Sequence, residues 1–371
     1  MQHTIIGGGI GGLTLALLLE QKGFTSEIYE QSESFKPIGA GIILAINAMK
    51  VYTHLGLHKQ IEAAGIELSE MTITKPNFNT LSTSNFSDLK KKFQTKTIAI
   101  HRGELQKILL SNLKTTKIHL NYKLISIKKQ NNTYELHFEN GEIIHRKILF
   151  GADGIHSKVR NYLFPNSNLR DSKQWCWRGV TSFKTTPYIK NSLIEAWGKD
   201  VRFGFVPINE EYIYWYALKT MSSTKEQTFD FNTMFQSFNP LVIELIESTP
   251  KNTIHFSHIE DLFPIKQWYK NSICLLGDAA HAATPNMGQG ACQAIEDAYV
   301  LSETLNPDNI QQSFSKFQKQ RYAKANSIVK ISWKLGKLAH ISNSFSIMLR
   351  NSFLKLTPKY INQKQLENIF R

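Results

Sequence analysis

A β-branched run, Thr4-Ile5-Ile6, enters Gly7-x-Gly9-x-x-Gly12, and the chain then reads as a helix from Leu13 to Lys22. This strand–glycine–helix junction restricts the fold more than any other feature. The first glycine permits a tight turn, the second lets a pyrophosphate approach the backbone, and the third lets the helix pack close to the strand. The helix start offers free N–H groups and a positive dipole end to phosphates. A second strand, Glu27 to Glu30, ends in a carboxylate placed to accept hydrogen bonds from both ribose hydroxyls of an adenosine. The opening is thus a βαβ unit for an adenine dinucleotide. The loop alone does not separate FAD from NAD. It occurs once and no redox CxxxxC follows it, which argues against reductases with separate folds for FAD and NAD(P)H.

Further along, residues 43–64 read as helical and 66–95 as polar and strand-like, ending in Lys90-Lys91-Lys92. Arg102 to Leu113 reads as an amphipathic helix. Ile118 to Ile127, Tyr134 to Phe138 and Ile143 to Phe150 read as strands, punctuated by Asn131-Asn132 and Asn140-Gly141. Alternating β segments fill Gln174 to His258. Ser272 to Leu276 is again an apolar strand, Gln289 to Leu305 a helix, and residues 311–371 form helices with basic faces. The expected fold is α/β: a Rossmann-like dinucleotide-binding domain over 1–70, 96–165 and 266–330, an inserted β-sheet substrate domain over 71–95 and 166–265, and a C-terminal helical region over 331–371.

Of the 371 residues, 42% are hydrophobic and 20% charged, an ordinary globular balance. No apolar run is long enough for a spanning helix. The glycine loop begins too early to leave room for a signal peptide. Three cysteines, Cys176, Cys274 and Cys292, have no metal-ligand or CxxC spacing and read as buried small hydrophobes in a reducing cytoplasm. The net charge of +14 is scattered and accompanies no nucleic-acid motif. It reads as a solvated basic surface, and its field favours an anionic nucleotide or an acidic substrate.

Two further motifs are more specific. Leu149 to Arg160 reads Leu-Phe-Gly-Ala-Asp-Gly-Ile-His-Ser-Lys-Val-Arg, a strand turning through Asp153-Gly154 into a helix. Asp153 can hold that turn, and Arg160 can meet a phosphate or the carboxylate. Gly277 to Ala298 carries a buried strand end at Gly277-Asp278, then Pro285, Gly288 and Gly290 before a second helix N-terminus. With these, the chain strongly resembles the p-hydroxybenzoate-hydroxylase-like flavoprotein monooxygenases, the FAD-dependent aromatic-ring hydroxylases, from residue 1 to about 330. Supporting matches are Gly39-Ala40-Gly41-Ile42 with Asn47, Ile100 to Leu105, Trp177-Arg178-Gly179-Val180, and Phe203 to Pro207.

The resemblance implies FAD as cofactor, NADPH or NADH as co-substrate and O2 as oxidant. An oxygen atom would reach a small aromatic or heteroaromatic substrate through a C4a-hydroperoxide. It also implies roles for matching positions. Gly7, Gly9, Gly11 and Gly12 would cradle the pyrophosphate, Glu30 would bind the ribose, and Arg102 the pyrophosphate side. The backbone at Leu124 would touch adenine, Asp153 would support FAD and the passing NAD(P)H, and Asp278 the ribityl chain. Pro285, Gly288, Gln289, Gly290 and Ala291 would line the isoalloxazine ring. An epoxidase, a drug-inactivating hydroxylase, a prenyl-chain reductase on the same fold, and a non-catalytic flavin redox sensor remain open. The complete ring loop disfavours the sensor.

On the substrate side, Asn209-Glu210-Glu211 reads as a turn joining the strand from Arg202 to Pro207 with one in which Tyr212, Tyr214 and Tyr216 share a face. Tyr214 is expected to pair with Arg202 or a close neighbour. Arg202 is the candidate for an anionic substrate and Tyr214 for a phenolic proton. His281 reads as structural. Trp175-Cys176-Trp177 is similar to an element of flavin halogenases but lacks its continuation, and reads as core packing. Ile331 to Leu356 mixes apolar and basic residues. Packing on its own protein is the preferred reading, with peripheral membrane contact the alternative.

Overall fold

The computed structural model describes residues 2–35, 40–183, 189–221 and 230–370. Gly39 lies outside them. The first sheet has six strands in the order Tyr269–Lys270, Ile273–Leu275, Leu149–Gly151, His3–Ile6, Ser26–Tyr29 and Lys117–His119. All its pairings are parallel except the first. Three distant stretches of chain therefore build one sheet. Its central strands are buried along their whole length, as parallel strands covered on both faces must be. Helix Ile10–Gln21 opens without a side-chain cap and packs against helix Gly290–Thr304. A Cβ on Gly11 would come within 3.1 Å of the Ala294 methyl, so the two glycine-opened helices lie nearly in backbone contact. Glu30 sits one residue past the strand assigned to it.

The second large sheet has seven strands: His255–Leu262, Leu169–Ser182, Tyr212–Thr220, Val201–Pro207, Ser192–Trp197, Glu70–Thr74 and Thr80–Asn85. Side chains alternate across it, and the two faces differ in chemistry. One face carries Trp177, Phe203, Phe205 and Trp215, buried with Phe235, Val242 and Leu245 of helices Phe231–Phe235 and Leu241–Glu247. Trp175 lies in this second core too, stacked on Phe256 at 4.4 Å, consistent with core packing for that tryptophan pair. The other face carries Arg178, Glu195, Arg202, Tyr214 and Tyr216. Its Val180, Leu193, Val206 and Tyr214 pack against the core of the first sheet.

The hairpin register corrects one expectation. Tyr214 lies opposite Val206, and Arg202 lies opposite Leu218. The turn after Pro207 fixes Pro207 against Ile213, so Arg202 and Tyr214 share a face but sit at opposite ends of the ladder. Gly204, opposite Tyr216, has to be glycine, since a Cβ there would lie 2.2 Å from the tyrosine Cζ.

The C-terminal helices are Ile310–Ala339, Ser344–Leu356 and Lys359–Phe370. The first buries Phe314, Phe317, Ile328 and Val329. The second rests on strand Thr80–Asn85 and buries Arg350, while most of its large apolar side chains stay exposed. No helix among the described residues is long and apolar enough to cross a membrane.

The two key loop glycines differ in what demands them. A Cβ on Gly12 would sit 2.1 Å from the Gly7 carbonyl oxygen, whereas one on Gly9 meets nothing within 4 Å. Gly12→Ala is therefore expected to destabilise the cofactor-free fold by about 1–3 kcal/mol, an overpacking cost. Gly9→Ala should leave its thermal unfolding nearly unchanged. Differential scanning calorimetry of the two apo variants checks this.

Candidate active site

The three motifs meet at the C-terminal ends of the parallel strands. Gly7, at φ +105°, abuts the second motif: a Cβ there would lie 2.4 Å from the Ala152 carbonyl oxygen. The Gly8 N–H donates to Glu30 Oε2 at 2.6 Å, and Ser32 donates its N–H and Oγ–H to Oε1 at 2.9 and 2.8 Å. Glu30 is thereby fixed at the mouth of the glycine loop. Gln106 Nε2 donates to the Gly8 carbonyl at 3.3 Å, a contact with no signature in the sequence. Leu124 heads strand Leu124–Gln130 and is buried.

Asp153 accepts from Ser157 Oγ at 2.5 Å and from the N–H groups of Lys158 and Val159 at 2.7 and 3.1 Å. It caps helix Lys158–Leu163 as well as holding the turn. Burial pushes its carboxyl up, against the pull of those bonds. Arg160 is buried rather than facing a phosphate. Its guanidinium donates to the carbonyls of Ile155 at 2.6 Å and Ala279 at 3.3 Å, stitching the second motif to the third.

Beneath the third motif lies a buried ionic cluster. Asp297 Oδ2 accepts from the Gly277 N–H at 2.9 Å and meets His281 Nε2 at 2.5 Å, while Oδ1 accepts from Arg321 Nε at 2.7 Å. Burial raises the Asp297 carboxyl, but the His281 and Arg321 charges outweigh it and hold it at about 2. Arg321 also reaches Glu296 and, at 2.7 Å, Gln293 Oε1. Asn47 donates to Gln289 Oε1 at 3.1 Å and to Glu296, which Lys324 also contacts at 2.9 Å. This cluster braces the loop Pro285 to Gly290 from behind. His281 is structural here. Arg321 was unmarked in the sequence, one arginine among the scattered lysines of a long helix.

Above the cluster the loop is open. Pro285–Met287 is one 3₁₀ turn, Gly288 adopts φ +61°, and Gln289 caps helix Gly290–Thr304 without a side-chain hydrogen bond to its first N–H groups. The nearest atom to a Cβ on Gly290 would be Asp278 Oδ1, at 3.8 Å. Asp278 is solvent-exposed, yet burial raises its carboxyl, countered by the charges of His281, Arg102 and Arg160. The Asp278 side chain is thus reached by solvent and still flanked by protein charge. Tyr214 is alike: half-buried, with its phenol pushed well up, first by burial and then by Cys176, against the Arg178 and Arg102 charges. It stays protonated at neutral pH. Arg102 feels both groups, and its backbone N–H is tied to the Ala40 carbonyl at 2.9 Å. Among the described residues, the Arg102 guanidinium, the Asp278 carboxylate and the Tyr214 hydroxyl make no hydrogen bond.

Arg202 contrasts with Tyr214. It is 1% exposed, donates to Glu195 Oε1 at 3.0 Å and also reaches Asn286. Glu195 in turn accepts from Trp197 Nε1 at 2.5 Å and from Tyr216. Asn286 is held by Thr284 Oγ1 at 2.8 Å and the Ser332 carbonyl at 2.9 Å. The guanidinium is therefore committed within the protein, and it ties the β-rich sheet to the Pro285 loop instead of presenting a free cation.

A family profile described as "FAD binding domain" matches residues 1–307. Aurachin C monooxygenase/isomerase of Stigmatella aurantiaca is 33% identical over 95% of this chain and 93% of its own. The 2-heptyl-3-hydroxy-4(1H)-quinolone synthase of Pseudomonas aeruginosa is 30% identical over 100% of this chain and 98% of its own. The chain belongs to the FAD-dependent aromatic-ring hydroxylases. Its fold matches the crystal structure of Klebsiella pneumoniae HpxO with FAD and uric acid, with a TM-score of 0.90 at 22% identity, covering 100% of this chain and 96% of that one. It is an FAD-dependent oxidoreductase, and NAD(P)H is the co-substrate typical of its family. The residues fit the cofactor: open space over Gly9 and Gly290, an uncapped helix start, and the unpaired Asp278 and Tyr214 side chains both within reach of the Arg102 charge.

The ionic cluster sets an acid limit on the fold. The Asp297 carboxyl is held below its unfolded range near about 3.9, so its stabilisation is present above that value and lost as pH falls toward about 2. Asp297→Asn should flatten acid unfolding over that window. It should also lower stability at neutral pH by about 1–3 kcal/mol, because Arg321 loses one of its two carboxylate partners and keeps Glu296. Urea unfolding as a function of pH measures both.

Proposed function

We propose that the chain hydroxylates a small heteroaromatic substrate at the cleft bounded by Arg102, Asp278 and Tyr214. The observation that carries this reading is that Arg102 lies within electrostatic reach of both Asp278 and Tyr214, and none of these three side chains has a hydrogen-bond partner among the described residues, beside glycines that leave room for a ring. The domain division read from the sequence is kept: the β-rich part at 71–95 and 166–265 covers the cleft, within a cytoplasmic enzyme.

When bound, FAD reduced by NAD(P)H activates O2 and supplies one oxygen atom to the substrate. The protein's part is to bind, orient and exclude water. Gly7, Gly9, Gly11 and Gly12 give the pyrophosphate close access to backbone N–H groups, and Arg102 adds a cation. Glu30, already fixed by Gly8 and Ser32, offers its remaining lone pairs to the ribose. The backbone at Leu124 takes the adenine, and Asp278 takes the ribityl hydroxyls. Asp153 holds the turn over which NAD(P)H passes. With FAD bound, Gly288, Gln289, Gly290 and Ala291, after Pro285, would offer the N–H groups of the helix start to the flavin ring and stabilise the negative charge that reduction brings. Tyr214 donates its phenolic hydrogen to an oxygen of the substrate. Arg202 acts as a positioning residue through Asn286.

Alkyl-substituted 4-quinolones are the first substrates to test, because a relative 30% identical to this chain is named for making 2-heptyl-3-hydroxy-4(1H)-quinolone. Aerobic NAD(P)H consumption is measured with quinolones, phenols and purines, and products are weighed for an added oxygen. Stimulated consumption with a product gain of one oxygen supports the reading. No stimulation by any ligand sinks it in favour of a redox sensor.

Two variants separate the two substrate-side residues. Tyr214→Phe should lower the hydroxylation rate by about tenfold, the loss of one hydrogen bond, with FAD content and thermal stability unchanged. Arg202→Ala should lower both rate and melting temperature, since Glu195 is left buried without its cation. Asp278→Ala should purify with reduced FAD, read from flavin absorbance.

A further inference from the structure

The helix Ser344–Leu356 is held from one side only. Arg350, 3% exposed, donates to the Ala339 carbonyl at 2.9 Å and lies 5.4 Å over the Trp197 ring. The opposite side carries Phe345, Met348, Leu349, Phe353 and Leu356, which are 53–78% exposed. At 100° per residue these five fall within one stripe, and Tyr360, 69% exposed, follows at the start of the next helix. Outside residues 345–360, large exposed hydrophobics among the described residues are scattered singly, as is normal.

The charge around the stripe selects its partner. From residue 325 to 366 the chain contains seven lysines and arginines and no aspartate or glutamate. Lys355 of this helix and Lys364 of the next are exposed. A second copy would bring an equally basic segment against this one, with no acidic group there to meet it. An anionic surface with an apolar interior complements both the lysines and the stripe.

We propose that helix Ser344–Leu356 docks the enzyme on an anionic lipid bilayer, its Phe345–Leu356 stripe entering the headgroup–acyl boundary and Lys355 and Lys364 meeting lipid phosphates. No helix among the described residues is long and apolar enough to cross the bilayer, so the docking is peripheral. The stripe lies outside the catalytic cleft, so the proposal stands apart from the choice of substrate.

The test is co-sedimentation of the full-length, FAD-loaded protein with phosphatidylglycerol/phosphatidylcholine vesicles and with phosphatidylcholine vesicles. The expected result is binding to the anionic vesicles only, weakened by high salt, and reduced by about tenfold or more in the double variant Leu349→Glu/Phe353→Glu. Flavin absorbance and melting temperature of the variant should match wild type. A milder variant, Leu349→Ser/Phe353→Ser, keeps the test valid if the charged one misfolds. Wild-type protein remaining in the supernatant, or variants binding as well as wild type, overturns the proposal. So does a dimer in analytical ultracentrifugation that the substitutions abolish, which would make a second copy the occupant.

Discussion

The architecture depends on one buried carboxylate. Asp297 receives the Gly277 N–H, His281 and Arg321 at once, so it joins the end of a parallel strand, the short helix after it and the long C-terminal helix. Each partner compensates for removing the charge from water, and together they keep it ionised where burial alone would neutralise it. The loop that rises over this cluster, Pro285 to Gly290, is thereby rigid on its inner side and unpaired on its outer side. That asymmetry suits a cofactor loop, because preorganised N–H groups need not reorganise when charge arrives.

The same division recurs in the β-rich sheet. One face is an aromatic core under two short helices, and the other carries the Arg202–Glu195–Tyr216 cluster and Tyr214 toward the cleft. Arg202 links this sheet to the loop through Asn286, and Gly336 must lack a side chain because a Cβ there would lie 2.3 Å from Asn286 Nδ2. The long C-terminal helix thus braces the site from two positions, at Arg321 and near Gly336.

Much of this was legible in the sequence, for identifiable reasons. The strand–glycine–helix junction, the Asp153 turn and the Gly277-to-Gly290 segment are local, and each needs particular residues at fixed spacing to make its turn. Alternation along Tyr212 to Tyr216 correctly put Trp215 on the opposite face from the tyrosines. Pairing partners were less accessible. The placement of Arg202 opposite Leu218 follows from the turn register, and its engagement by Glu195 and Asn286 depends on contacts between segments distant in the chain. The same holds for Arg321 and Asp297. For helix Ser344–Leu356 the amphipathic pattern was visible, but the side facing outward was not, because periodicity gives a face and no direction.

The central claim is that the cleft between the Pro285 loop and the tyrosine-bearing sheet directs O2 into an aromatic substrate. Turnover under 18O2 in ordinary water, followed by mass spectrometry of the product, tests it most directly. The account predicts one 18O atom per product molecule, with NAD(P)H consumed in proportion. A product whose new oxygen derives from water, or NAD(P)H oxidation that yields peroxide and leaves every substrate unchanged, would contradict it.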